Sequence, residues 1–119
     1  MRPTGNHARS AILRSVMAIA GDCASDRKKP IVVVEDACST DWASATFVGA
    51  THDFALRIEG EALAVTAAVG RIVAQLPEYE IALSGHIVAE IVVLPGKLRI
   101  TNDHIVSKSL TVNALMIRD

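Results

Sequence analysis

The stretch that decides the fold opens as Asp53-Phe54-Ala55-Leu56-Arg57-Ile58-Glu59, runs through Glu61 to Leu76, and closes as Gly85-His86-Ile87-Val88-Ala89-Glu90-Ile91-Val92-Val93-Leu94. In its first part Phe54, Leu56 and Ile58 alternate with polar or small residues, the period-two pattern of a half-buried strand. From Glu61 the period lengthens: Ala62, Val65, Val69, Ile72 and Leu76 recur at three- and four-residue steps, and Pro77 ends the run. The last part is rich in β-branched residues and reads as extended chain again. Together these segments predict a β-α-β unit over about 53–94, its strands parallel if they share a sheet.

On the N-terminal side, Ile12, Leu13, Val16, Met17, Ile19 and Ala20 form a wide apolar stripe, with Asn6 as a candidate cap and Gly21 as a stop. This predicts a helix over about 6–20 docked on the domain or on a second subunit. Pro30 introduces Ile31-Val32-Val33-Val34, the pattern of a strand buried on both faces. Glu35, Asp36 and Asp41 then read as a polar turn, and as a cation loop only by analogy, because no loop motif sets their spacing. Phe47 is odd-numbered whereas Phe54 is even-numbered, so if both face one core a turn or bulge is required near 49–53. Pro95-Gly96 signals a hairpin between 86–94 and 97–101, Asn102-Asp103 a further turn, and 110–117 a last strand. The expectation is one α+β domain over residues 1–119. It is a two-layer sandwich with a five- or six-stranded antiparallel or mixed sheet, two helices on one face, and C-terminal strands within 97–118.

Half of the 119 residues are hydrophobic but only 3% are aromatic, so the core is aliphatic. Surplus aliphatic surface on a short chain favours self-association, and a homodimer is expected. The net charge of −1 supplies no field for a phosphate backbone, so no nucleic-acid partner is expected. The basic run Arg27-Lys28-Lys29 reads as a solvated loop. Arg9 and Arg14 interrupt the apolar N-terminal segment, so neither a leader nor a membrane span is expected. Cys23 and Cys38 have no metal or redox spacing and read as reduced thiols of a cytoplasmic protein.

Candidate chemistry is sparse. No nucleotide-binding, nucleophile-elbow or zinc motif is present, and no metal or cofactor is implied. His52, His86 and His104 fall at predicted turns or strand ends, where they could converge; His52-Asp53 with Asp103 and His104 is one such grouping. Glu90 stands alone among apolar residues, either paired across strands with Arg99, Arg57 or Lys97, or set with His86 in a pocket lined by Val88 and Val92. Strict alternation puts His86, Val88, Glu90 and Val92 on the sheet face away from the helices, and Leu115 and Ile117 join them from the last strand. That mixed face is the candidate dimer interface. The functional expectation is a small, non-catalytic binding or interaction domain with an unidentified ligand. The second expectation is a small metal- or ligand-dependent enzyme using His52, His86, Glu90 or His104.

Overall fold

The computed structural model describes residues 4–21, 30–81, 83, 85–102 and 104–118, with the backbone alone for 4–6. The basic run, Cys23, Ser84 and Asp103 lie outside the described residues. Helix α1 (Thr4–Ala20) precedes strands β1 (Ile31–Ala43) and β2 (Val48–Glu61). Helix α2 (Ala62–Gln75) and a short 3-10 turn (Leu76–Glu78) then lead to strands β3 (His86–Ile100) and β4 (Ile105–Arg118). The sheet has four strands in the order β1-β2-β4-β3, and every neighbouring pair is antiparallel.

This corrects the expected five or six strands, and bulges account for the difference. Residues 86–100 are one strand, in which Pro95-Gly96 makes a register shift against β4 instead of a hairpin. Proline is tolerated there because β3 is an edge strand with no neighbour on one side. Gly96 fits the shift closely, since a Cβ on it would lie 3.1 Å from Ser109 Cβ, tighter than ordinary contact. Likewise 48–61 is one strand without interruption. The phase argument fails because Phe47 belongs to the β1–β2 turn and is 53% exposed, so it never shares the core with Phe54. That turn closes as Ser44 N–H donates to Phe47 O (2.7 Å) and Phe47 N–H donates to Ser44 Oγ (3.0 Å).

The strands on either side of α2 share one sheet without being neighbours in it. β2 and β3 do run in the same direction, but β4 lies between them and pairs with both. Chain that looked like the periphery of the domain is the middle of its sheet. Conversely Ile31-Val32-Val33-Val34, read as doubly buried, is on the outer edge, with Ile31 60% exposed. Glu35-Asp36 is not a turn but a bulge within β1, where the register against β2 shifts between Val34 and Asp36.

Both helices cover one face. Phe54, Leu56 and Ile58 from β2, and Leu110, Val112, Ala114 and Met116 from β4, point into one cluster with Ile12, Val16 and Ile19 of α1 and Val65, Ala68 and Ile72 of α2. Each of the larger side chains contributes about 1.5–3 kcal/mol on burial. Helix α1 begins at Thr4, so Asn6 falls inside its first turn rather than at its cap. Its C-terminus is held by α2: Arg71 Nε donates to Ile19 O (3.0 Å) and its terminal nitrogen to Ala20 O (2.8 Å), satisfying carbonyls that a helix end leaves open. Gly70, inside α2, is exposed, and a Cβ there would meet nothing within 4 Å.

Strands of 13–15 residues at about 3.4 Å each are far longer than the roughly 21 Å of a 14-residue helix. The molecule is accordingly 53 Å long and 25 Å across, and the sheet overhangs its helix layer.

Candidate functional site

At the overhang near the β1–β2 turn, one pocket of about 310 Å³ is lined by Asp41, Trp42, Gly49, Ala50, His52, His86 and Arg118, with Ala43 and Val48 at its rim. Three strands build it. His52 lies opposite Ala114 on β4 and Ser39 on β1, on the helix-facing side of the sheet, and is 1% exposed. His86 opens β3 and pairs with Arg118. The sequence named His52 and His86 as ligand candidates, and Asp41 within an acidic turn, but not that they meet.

His52 Nδ1 and Ser39 Oγ share a hydrogen bond of 2.7 Å. Burial holds the His52 imidazole below the ordinary histidine range. The positive charges of Arg9 and His86 push the same way, while Asp41 and Asp53 oppose them. A serine and an imidazole in proton-transfer reach suggest nucleophilic chemistry, but among the described residues no carboxylate bonds the far ring nitrogen. The pair is a satisfied buried polar group rather than an activated nucleophile. The Trp42 indole N–H is buried without a partner among the described residues. Its ring lies over Gly49, where a Cβ would come within 2.6 Å of Trp42 Cζ2 and would collide with Met116 O.

The other candidates go elsewhere. His104 is at the opposite overhang, beside Glu61, Leu63, Ile100 and Val106. Asp53 is bonded by Asn113 on the open face, away from His104. Glu90 is exposed and lies opposite Leu115, and none of its three proposed partners reaches it: Arg57 bonds Glu35 (2.9 Å) and approaches Glu59 (3.9 Å) instead. A bulge at Ala89 is the reason that the His86–Glu90 grouping fails. The register shifts between Val88 and Glu90, so His86 and Val88 turn toward the helix layer while Glu90 and Val92 turn away. Val88 packs on the core and leaves the predicted interface set, whereas Val92, Leu115 and Ile117 stay on the open face beside exposed Ile87 and Leu94. Among the described residues no three His, Cys, Asp or Glu side chains are placed to hold a metal ion.

No family model matches this sequence, and no curated protein does. Among solved structures, one similar chain comes from the "Virion of native gene transfer agent (GTA) particle", with a TM-score of 0.62 over 91% of this chain and 90% of that one. The likeness is to a virion chain. Identity is 19%, so what the two share is the fold. The match spans nearly the whole of both chains. No described helix here is long and apolar enough to cross a membrane.

Of the pocket's lining, Arg118 carried no sequence signal and Asp41 only that of an acidic turn, because strand pairing alone brings them to the two histidines; Ser39, bonded to His52, carried none. Arg71 did carry one: it is the single charged side chain in an otherwise uncharged α2.

Proposed function

We propose that this chain is a non-catalytic assembly subunit, self-associating in the cytoplasm and taking its place in a larger virus-like particle. The observation that carries this reading is the fold shared over nine-tenths of both chains with a component of a gene transfer agent virion. Two features of the molecule support it. The sheet face opposite the helices exposes Ile87 and Leu94 and leaves Val92, Leu115 and Ile117 half covered, a mixture typical of association surfaces. Both edge strands are long and pair with a neighbouring strand of this chain on one side only, and main-chain hydrogen-bonding groups on such an edge are templates for pairing.

Sedimentation velocity on the purified chain, with negative-stain microscopy of the same sample, tests the reading. Discrete oligomers are expected at micromolar concentration; a monomer persisting to high micromolar concentration overturns it. The meeting of His52 and His86 favours a second reading, a small-ligand site at the overhang pocket. Histidine NMR shifts that respond to a small carboxylate or to zinc at stoichiometric concentration would favour it over a purely structural role.

A further inference from the structure

The two edges of the sheet differ in charge. The acidic or basic side chains of β1 are Glu35, Asp36 and Asp41, all acidic, with Glu35 held by Arg57 of the same chain. β3 carries Lys97 and Arg99 near its C-terminal end and Glu90 at its middle. Among the described residues neither Asp36 nor Arg99 is in an ion pair, and both are exposed. Because neighbours alternate in direction across all four strands, β1 and β3 run oppositely. A second copy in the same orientation therefore brings its β1 antiparallel to β3 of the first.

We infer that copies of this chain join head to tail through these edges, β3 of one against β1 of the next, with Arg99 opposite Asp36. The inference rests on the assembly reading above and names its interface. The register that matches this charge pair also matches its neighbours. Ala37 falls beside Leu98, which is 54% exposed, and beyond the Glu35 bulge Val34 (39%) falls beside Ile100 (77%). On each strand these apolar residues share the helix-side face, whereas Asp36 and Arg99 share the open face. A smooth edge would accept partners in any register. The bulges at Glu35 and Pro95-Gly96, with the charges beside them, disfavour the other registers.

The same register favours closure. Within one chain Arg99 shares a row with Ser107, Glu59 and Ile31, whereas Asp36 shares its row with Ala55, four residues along β2 from Glu59. Each added copy contributes four strands and steps four residues along them, which is one residue of stagger per strand. That is the ratio of an eight-stranded barrel of shear eight, whose strands tilt by about 36°. A head-to-tail contact with this stagger meets the strand-tilt condition of a closed barrel, and a ring forms where the rotation between copies closes.

Sedimentation velocity on the full chain and on Asp36→Lys, Arg99→Glu, Val92→Asp and the double variant D36K/R99E tests the inference. Each edge variant is expected to weaken association at least about tenfold. Mixing D36K with R99E in equal amounts is expected to restore it. In alternating copies each introduced lysine meets an introduced glutamate, and each remaining Asp36 meets a remaining Arg99. The double variant should assemble alone, and high salt should weaken the wild-type assembly. Restoration on mixing supports the inference and also shows that both variants are folded. If wild type assembles but D36K and R99E have no effect, or weaken it without recovery on mixing, the edge interface is wrong. Dissociation by V92D would then assign association to the open face, and the assembly reading survives. A monomeric wild type removes both.

Discussion

At the scale of single residues, His52 shows how burial turns a candidate ligand into a structural group. Its ring is buried on the helix-facing side of the sheet and bonded to Ser39, and burial lowers its pKa, with Arg9 and His86 adding to the effect against Asp41 and Asp53. A histidine whose folded-state pKa lies below its unfolded value binds its proton more readily in the unfolded chain. Unfolding is then favoured as pH falls below about 6.5, and His52 contributes a slope in which stability rises as pH climbs through the ordinary histidine range. Replacing His52 with Gln should flatten that slope in urea melts recorded across this range; an unchanged slope would show that other groups produce it. Gly70 makes the opposite point. A glycine inside a helix costs helix propensity, and no packing contact offsets that cost, because nothing stands near it. Gly70→Ala should therefore stabilise by about 1 kcal/mol, seen as a rise in Tm of a few degrees.

The elements were legible in proportion to how local their causes are. Helix α2 was read to within a residue, since its stripe of Val65, Val69, Ile72 and Leu76 is written at helical spacing and all four are buried. Strand lengths were not, because Pro95-Gly96 and Gly49 carry turn chemistry that pairing partners override. β4 on one side and the free edge on the other decide that β3 continues through its proline. The pocket was half legible for the same reason: His52 and His86 stood out, but only the β2–β4–β3 order brings them together. Between elements, Arg71 is the fastening that holds α1 to α2 through Ile19 and Ala20. Arg71→Ala should cost about 1.5–3 kcal/mol, since two carbonyls at a helix end lose their charged donor at once. Chemical denaturation checks the size, and Arg71→Lys should recover only part of it, having no planar fork to serve both oxygens.

At the scale of the whole molecule, the outstanding feature is the mismatch between long strands and short helices. Beyond the helix layer, residues 40–50 and the facing ends of β3 and β4 hold together by their ladder and a few side chains, with Phe47 and Val48 in solvent. Protection in the ladder should be graded along its length, because free energies of local opening follow the apolar area that caps each stretch. Amide protons of Thr51 and Ala50 should exchange with deuterium before those of Leu56 and Ile58 on the same strand. Equal rates along β2 would mean that the sheet opens only as a unit. A graded ladder makes the free monomer a zipper whose loose teeth are at the Phe47 end. Whatever grips that end, whether a neighbouring copy or a ligand between His52 and His86, would slow its fraying and leave the rest of β2 exchanging as before.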